Sequence, residues 1–291
     1  MAKSKIAESA GIKRGLEVIE AINQSIEQDN PWNPRKYLGA SGIGQPCTRA
    51  LWYQFRHAHE GIRPKPAMRR LWERGHLEEP RIVKLLRRIG CTVYTEQNDN
   101  EQFGFVGYRG HYKGHIDGVV IFPDDPDAYL LECKTHNDAS FKNLIKEGVQ
   151  VSKKEHYWQM QSYMLHMRLT KALYIAVNKN NDELHLEFVE ADADIQTKTE
   201  EKAMNIINAP TPPMRVSHNP GWYICRWCDF RNLCHSLEPV QVNKSCRTCT
   251  FVVVCDEGKW GCTMPSGGAK EIPVDIQELG CEHWDRIDMV Q

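Results

Sequence analysis

Blocks of apolar and polar residues along the 291-residue chain predict a series of helices followed by strands. Residues 1–30 are mostly polar and predict a helix, and the Pro- and Gly-rich stretch 31–46 predicts a loop. A helix is expected over residues 47–57. Between residues 67 and 89, apolar side chains recur at approximately the spacing of an amphipathic helix, which we expect to stop or restart near Pro80.

The pattern changes after residue 89. Two apolar and partly β-branched segments, 114–122 and 128–135, flank the turn sequence PDDP and predict a β-hairpin. We expect a helix over 155–168, two strands over 173–177 and 184–189, and a helix over 194–208 before the breaker APTPP. This order predicts an α/β domain with a mixed central sheet flanked by helices.

Cysteine usage divides the chain further. A chain of this length has room for one core of about 200 residues and a small appendage. Eight of the eleven cysteines follow residue 224, and the N-terminus lacks the apolar segment of a secretory signal, so metal binding is a better default than disulfides. We predict an N-terminal helix and loop over 1–46, a main domain over 47–238 and a small Cys-rich, metal-binding module over 239–291.

Composition adds few constraints. The chain is 41% hydrophobic and 26% charged and has no apolar run long enough for a membrane span, so we expect a cytoplasmic protein with no membrane partner. A net charge of −1 neither predicts nor excludes a polyanionic partner, because binding depends on where the basic residues lie. The sequence has no GxxxxGK[ST] motif, so use of ATP is not expected.

Candidate chemistry begins with Glu132 and Lys134, which are two residues apart in a predicted strand and therefore share a face. Asp117, on the preceding strand, joins that face if it pairs with Glu132, which requires a connection made of residues 123–126. Converging carboxylates bind Mg²⁺ or Mn²⁺, and the lysine would stabilise charge on a phosphodiester under attack. The alternative is a surface salt bridge at a strand edge, which the apolar neighbours disfavour.

The D…ExK arrangement resembles the RecB-like branch of the PD-(D/E)XK nucleases over roughly residues 40–236. The resemblance implies a restriction-endonuclease-like core. The first motif of the family matches Gly75 and Glu79, as in lambda-exonuclease-like members, although strictly RecB-like members carry His at the second position. His76 and Glu78 are weaker candidates, and the alternative for Glu79 is that it only caps a helix end. The implied metal ligands are Glu79, Asp117, Glu132 and the backbone carbonyl of Cys133.

The Q-x-x-x-Y motif of the family matches Gln159 and Tyr163, which are four apart on a predicted helix and point the same way. The resemblance implies that this pair orients the lysine and contacts nucleic acid; alternatively Tyr163 is a core residue and Gln159 a solvated one. Before that helix lie basic and aromatic residues that are candidates for contacts with phosphates and bases, namely Lys142, Lys146, Lys153, Lys154, Phe141 and Trp158.

Cys225, Cys228 and Cys234 form a C-x2-C-x5-C cluster. Such a cluster binds zinc with His235 as fourth ligand, or an iron-sulfur cluster through a distant cysteine, for which Cys47 is the candidate. The resemblance to cluster-bearing RecB-like nucleases, including CRISPR-associated and AddB-type members, implies a [4Fe-4S] cluster that clasps the two ends of the domain together.

Four later cysteines have a spacing that suits a zinc ribbon or knuckle: Cys246, Cys249, Cys262 and Cys281. Cys255 and His283 are rival ligands for the same site. Cys91 and Cys133 are expected to be buried thiols.

The resemblance implies a metal-dependent exonuclease that acts on single-stranded or end-resected double-stranded DNA. Its setting would be recombination, repair, or CRISPR or phage DNA processing in a bacterial or phage-infected cell, with recombination or CRISPR adaptation proteins as partners. A structure-selective endonuclease uses the same chemistry. A non-catalytic DNA-binding or assembly protein would be expected to lack some of the acids or the lysine, and all are present.

Overall fold

The computed structural model describes residues 10–29, 34–59, 64–96, 101–269 and 271–290. The helices are α1 (Ala10–Gln28), α2 (Thr48–Arg56), α3 (Pro66–Arg88), α4 (Asp138–Ser152), α5 (Lys154–Met167), α6 (Ala193–Asn208), α7 (Arg231–His235) and α8 (Val274–Leu279). The strands are β1 (Leu38–Gly39), β2 (Thr92–Tyr94), β3 (Gly104–Gly107), β4 (Tyr112–His115), β5 (Gly118–Phe122), β6 (Asp125–His136), β7 (Lys171–Asn178), β8 (Leu184–Glu190), β9 (Val252–Val254) and β10 (Trp260–Cys262).

A five-stranded mixed sheet of order β2-β5-β6-β7-β8 forms the centre of the fold. The β6–β7 pair is parallel and the other pairs are antiparallel. A second sheet of order β1-β4-β3 lies beside it, and β9 pairs with β10 near the C-terminus. The α/β class and the mixed sheet predicted from the sequence are confirmed.

The β5–β6 hairpin has the register expected from the sequence, since Gly118 pairs with Leu131 and Ile121 with Ala128. Its turn differs from the expected one. A register shift after Ile121 pairs Phe122 with Asp125, so the turn is shorter than the connection over 123–126. The bulge shortens the loop without changing which faces the site residues occupy.

The segment 114–122 is two strands in two sheets, not the single strand predicted. The chain leaves the second sheet after His115 and enters the central sheet at Gly118. Between them, Ile116 is fully buried and its amide donates to the carbonyl of Phe103 at 2.9 Å. The following residue, Asp117, directs its carboxylate to the backbone of β6.

Two helices depart from the sequence prediction. Helix α3 continues through Pro80, which lies inside it, instead of stopping or restarting there. Helix α4 was not predicted because its sequence is rich in lysine and contains Gly148, a residue with φ 73°. The start of α4 is set by Asn137, whose side chain accepts a hydrogen bond from Ser140 N at 2.8 Å, a typical N-cap.

Both faces of the central sheet are buried. Helix α3 packs against one face, where Val83 and Leu86 contact a cluster that includes Leu131 and Val177. The other face belongs to a larger core that includes residues of α2, α4, α5 and α6 and also Trp260, Ile287 and Met289 from the C-terminal segment. No helix in the described ranges is long and apolar enough to cross a membrane.

Candidate active site

Glu132 lies at the centre of the site. Its side chain is completely buried in strand β6, and its Oε1 accepts hydrogen bonds from Lys134 Nζ and from Gln159 Nε2, the latter at 2.8 Å. Its Oε2 is buried without a hydrogen-bond partner among the described residues. Burial raises the pKa of Glu132 to about 7, with Lys134 opposing the shift and Asp117 and Glu79 adding to it. A buried, half-satisfied carboxylate is costly to fold and points to a cation that completes it.

Lys134 leaves the same face of β6 as Glu132 because the two residues are two apart in the strand. Although burial acts to lower it, the carboxylates of Glu132 and Asp117 raise the pKa of Lys134 above its ordinary value. The ammonium is therefore held in its charged form in a site lined by acids, where it can stabilise negative charge on a phosphate.

Asp117 is fixed by the backbone of the neighbouring strand. Its Oδ2 accepts a hydrogen bond from Cys133 N at 2.7 Å, which places the carboxylate next to the Cys133 peptide. The thiol of Cys133 points away into the core, where burial raises its pKa well above the usual value. Asp117 and the peptide between Glu132 and Lys134 are thus held together as the sequence analysis expected.

Glu79 reaches the same site from helix α3. Burial raises its pKa, and the charge of Asp117 raises it further, whereas His76 and Lys134 oppose the shift. His76 Nδ1 lies 3.3 Å from Glu79 Oε1. Glu78 instead pairs with Arg81 Nη1 at 2.6 Å. These contacts favour Glu79 over Glu78 as the member of the acidic group.

Gln159 and Tyr163 extend from α5 toward Glu132. The Gln159 amide donates to Glu132 Oε1 and lies 3.2 Å from Tyr163 Oη, so the pair orients the glutamate directly and the lysine only through it. Both residues are buried, and burial raises the pKa of Tyr163 well above its ordinary value. Their burial argues against direct contact with nucleic acid.

Three carboxylates therefore surround one ammonium, and the donor set consists of the oxygen ligands that Mg²⁺ and Mn²⁺ prefer. The unpartnered Glu132 Oε2 and the raised pKa values of Glu79 and Glu132 fit a bound divalent cation. As the side chains stand, no group of three or more His, Cys, Asp or Glu in the described residues is arranged to hold a metal ion. Lys134 engages Oε1 of Glu132 and the Cys133 amide engages Oδ2 of Asp117.

The candidate nucleic-acid contacts separate into two groups. Lys142 is paired with Asp138 at 2.8 Å, and Phe141 is 1% exposed and belongs to the core, so the expectation that Phe141 stacks a base is wrong. Lys146 and Lys154 are exposed on α4 and α5, and Trp158 is half-buried beneath Lys202. Of the four predicted lysines, Lys153 lies near the site. Together with burial, its positive charge lowers the pKa values of two histidines there, His136 and His156.

Those histidines were missed in the sequence. His136 Nε2 and His156 Nδ1 each lie 2.8 Å from the hydroxyl of Tyr174, the residue that pairs with Glu132 across the β6–β7 ladder. Burial and nearby lysines lower the pKa of His136 to about 4 and that of His156 to about 3, so both rings are neutral. The alternation of side chains along a strand could have identified His136, since it shares a face with Glu132 and Lys134.

The C-x2-C-x5-C cysteines lie together with the distant one. The side chains of Cys47, Cys225, Cys228 and Cys234 line one pocket beside Tyr53 and Phe230. The pKa of Cys228 is raised to about 11, mainly by burial and also by the neighbouring Cys47 and Cys234. The described residues contain no arrangement for a single metal ion here either.

The C-terminal cysteines also converge. The pKa of Cys246 is raised to about 11 by burial and by the nearby Cys281, Cys249 and Cys262. The rival ligand His283 instead lies 3.5 Å from Glu282. No single-ion arrangement is found at this place among the described residues, so the metal-binding character of the module stays a prediction. Cys91 and Cys133 are buried, as expected.

Solved structures similar to this chain include two of the exonuclease LHK-Exo and one of SSO0001. The alkaline exonuclease LHK-Exo from Laribacter hongkongensis is 16% identical, with 64% of this chain and 90% of that chain covered and a TM-score of 0.44. LHK-Exo in complex with dAMP is 16% identical over 58% and 85% of the two chains, with a TM-score of 0.41. SSO0001 is 13% identical over 78% and 99%, with a TM-score of 0.42.

The search of curated proteins returns no match. The family model of the PD-(D/E)XK nuclease superfamily matches residues 47–235, which is more than half of the chain and contains every residue of the acidic site. The chain therefore belongs to the PD-(D/E)XK nuclease superfamily.

Proposed function

We propose that this protein is a Mg²⁺- or Mn²⁺-dependent DNA exonuclease whose site is formed by Glu79, Asp117, Glu132 and Lys134. The observation that carries the proposal is the unpartnered Oε2 of the buried Glu132, whose pKa is raised by burial and by the charges of Asp117 and Glu79 and which lies beside the ammonium of Lys134. Carboxylates kept this close without a cation would repel one another, so the arrangement is suited to a divalent metal.

The ligands proposed for the metal are Glu79, Asp117, Glu132 and the Cys133 carbonyl. When bound, the cation would polarise the phosphodiester and lower the pKa of the attacking water. The protein's own groups hold the geometry: Gln159 fixes the Glu132 carboxylate, and the Cys133 amide fixes Asp117. Lys134, which stays protonated, stabilises the charge that develops on the phosphate oxygens.

The exonuclease proposal rests on the resemblance to cluster-bearing RecB-like nucleases together with the lack of a GxxxxGK[ST] motif in the sequence. The acids and the lysine converge on one place, which disfavours a non-catalytic assembly protein. A structure-selective endonuclease is the remaining alternative. DNA processing in recombination, repair, CRISPR or phage replication in the cytoplasm, with proteins of those processes as partners, is part of the same proposal.

We also propose a [4Fe-4S] cluster on Cys47, Cys225, Cys228 and Cys234. Burial, and also the charges of Cys47 and Cys234, raise the pKa values of Cys225 and Cys228, and the repulsion between thiolates is relieved when a cationic centre binds them. A four-iron cluster takes one cysteine at each iron, so its ligands stand farther apart than those of one zinc ion. Wider separation of the four cysteines is compatible with a pocket whose described side chains are not arranged around one metal ion. Zn²⁺ on Cys246, Cys249, Cys262 and Cys281 is the corresponding proposal for the C-terminal module.

Incubation with end-labelled linear and covalently closed circular DNA, each single- and double-stranded, tests the proposed activity. Protein purified anaerobically should digest linear DNA in Mn²⁺ or Mg²⁺, release nucleotides from an end, and stop when EDTA is added. Cleavage of circles would replace the exonuclease with an endonuclease. Binding without cleavage under every condition would contradict nuclease activity.

A further inference from the structure

Two grooves meet at Glu79, which lines both of them. One has a volume of about 340 Å³; we call it the Trp72 groove, and its walls include Trp72, Gly75, Glu79, Lys134, Thr135 and Lys179. The other has a volume of about 710 Å³; we call it the Arg88 groove, and its walls include Glu79, Lys84, Arg87, Arg88, Gln102 and Asp117. The acidic site thus lies at the junction of two open channels that follow helix α3.

Trp72 is an unusual side chain for this position. It is 53% exposed and belongs to neither buried core cluster. It lies seven residues before Glu79 on α3, so the two side chains share a helix face. A large ring that is half exposed beside charged residues offers a flat surface on which a nucleobase can stack.

Gly75 keeps the floor of the Trp72 groove open. Glycine in the middle of a helix costs about 0.5–1 kcal/mol relative to alanine. Close packing does not explain it, because a Cβ at Gly75 would meet only Thr135 Oγ1, at the ordinary contact distance of 3.9 Å. The missing side chain instead leaves space between Trp72 and Glu79 for a ligand.

Basic side chains line both channels. Lys134 and Lys179 line the Trp72 groove, and Lys84 and Arg88 line the Arg88 groove. Within the described part of the chain, Lys84, Arg88 and Lys179 form no ion pair with a carboxylate, unlike Lys142, which is neutralised by Asp138. They are therefore available to phosphates on either side of the metal site.

We propose that one strand of nucleic acid runs along α3 through both grooves, with the base next to the scissile phosphate stacked on Trp72. This rests on the proposed function and extends it to the form of the substrate. A groove of about 340 Å³ has room for one nucleotide, and a base that stacks on Trp72 from within the strand has to be unpaired. Duplex DNA would have to be separated at its end before it entered.

Binding measured without cleavage tests the proposal independently of activity. In an Asp117→Ala background, fluorescence anisotropy with a labelled single-stranded oligonucleotide should show that Trp72→Ala weakens binding about tenfold, the loss expected for one stacked base. Trp72→Phe should retain most of the affinity. Phe188→Ala is the matched control, because Phe188 is also exposed, at 62%, but lies on the edge strand β8, outside both grooves.

An oligonucleotide with abasic sites completes the test. Replacing bases by abasic sites should weaken binding to the protein that keeps Trp72 and make little difference to Trp72→Ala. Gly75→Leu fills the groove while keeping Trp72 and should weaken binding as well. It is the test variant to use if Trp72→Ala does not fold. Unchanged affinity in a folded Trp72→Ala or Gly75→Leu protein, or equally tight binding of blunt duplex, would overturn the proposal. If the wild-type protein cleaves none of the DNA substrates, the proposed function is rejected instead.

Discussion

At the scale of single residues, Glu132 connects the sequence motif to the chemistry. Its burial would be unfavourable for an isolated carboxylate, and two donors, Lys134 and Gln159, satisfy only one of its oxygens. In the proposed function the remaining oxygen would bind the cation, at a cost in stability when no cation is bound. Gln159 therefore acts through Glu132, as a residue that positions the carboxylate.

Replacing Gln159 by leucine should lower kcat about 10- to 100-fold and change KM little, because the loss of an orienting hydrogen bond to a metal ligand has effects of that size. Single-turnover cleavage of linear DNA measures it. The matched variant is Gln161→Leu, two residues along the same helix, where the amide bonds to the backbone of Glu190 and Asp192. That variant should lose thermal stability and retain kcat; equal kcat losses would contradict the assignment.

Strand alternation and hairpin register predict the shared face of Asp117, Glu132 and Lys134, whereas Glu79 on a helix was proposed only from the resemblance to the family motif. Trp72 and His136 were missed, although both carry the same kind of signal. Trp72 lies seven residues before Glu79 in a predicted helix, and His136 lies two residues after Lys134 in a predicted strand. Phe141 was misassigned because its burial depends on α4, which the lysine-rich sequence hides.

At the scale of elements, helix α2 joins the two cysteine-rich regions. Cys47 immediately precedes it, and His57, which follows it, adopts a left-handed conformation with φ 51°. His57 Nε2 lies 3.0 Å from the carbonyl of Arg35 and 3.4 Å from Arg247 Nη1 of the C-terminal segment. Burial and the charge of Arg247 lower the pKa of His57 to about 4.

That lowered pKa predicts a pH dependence. The unfolded chain takes up a proton at His57 near pH 6.5 and the folded protein only near pH 4, so stability falls as pH decreases through this window. His57→Asn, in which asparagine tolerates the left-handed backbone, should reduce that fall. Urea unfolding at pH 7.5 and at pH 5 measures it. The same pH difference in the variant and the wild type would contradict a contribution from His57.

The elements predicted from sequence were those with strong local patterns: α2, α5, α6, β7, β8 and the β5–β6 pairing. The break between β4 and β5 was not predictable from pattern, because Ile116 continues the apolar run that marks a strand and Asp117 is followed directly by further apolar residues. The chain divides there only because β4 pairs with β1 and β3, which are contacts distant in sequence. Similarly, the continuation of α3 through Pro80 was not predicted, because the local rule is that proline interrupts a helix.

At the scale of the whole molecule, the C-terminal segment completes the nuclease core. Arg247 donates to the carbonyls of Phe55 and Lys36 at 3.0 Å each, and the carbonyl of Met289 accepts from Arg49 and Tyr53. Trp260 lies between the guanidinium groups of Arg56 and Arg247, at 5.1 and 4.9 Å from its ring. The boundary near residue 239 thus marks a change of composition while the packing continues across it.

A pair of isoleucine variants checks this continuity. Ile287→Ala should lower the free energy of unfolding of the whole protein by about 2–5 kcal/mol, because Ile287 is 2% exposed in the main core. Ile276→Ala, at a residue 44% exposed on α8, should have little effect. Chemical denaturation followed by circular dichroism measures both. A separate early transition in Ile287→Ala, with the main transition unchanged, would indicate an independent module.

Cys47→Ser tests the proposed cluster at the same scale. The variant should lose iron and the brown colour of the cluster and unfold at a lower temperature, because α2 and the segment around Cys225 would no longer be joined. Activity per folded molecule should change less than stability. Iron analysis and thermal unfolding measure the effect, and unchanged stability with the colour retained would contradict the clasp.

The central claim is that the Glu79, Asp117, Glu132 and Lys134 site cleaves DNA with a divalent metal. The most direct measurement is single-turnover cleavage of end-labelled linear DNA in Mn²⁺ by the wild type, Asp117→Ala and Asp127→Ala. Asp127 is the control, since it lies at the start of β6 and pairs with Lys171 at 2.6 Å. We predict that Asp117→Ala abolishes cleavage and that Asp127→Ala retains it. Retained cleavage in a folded Asp117→Ala protein would contradict the assignment of the site.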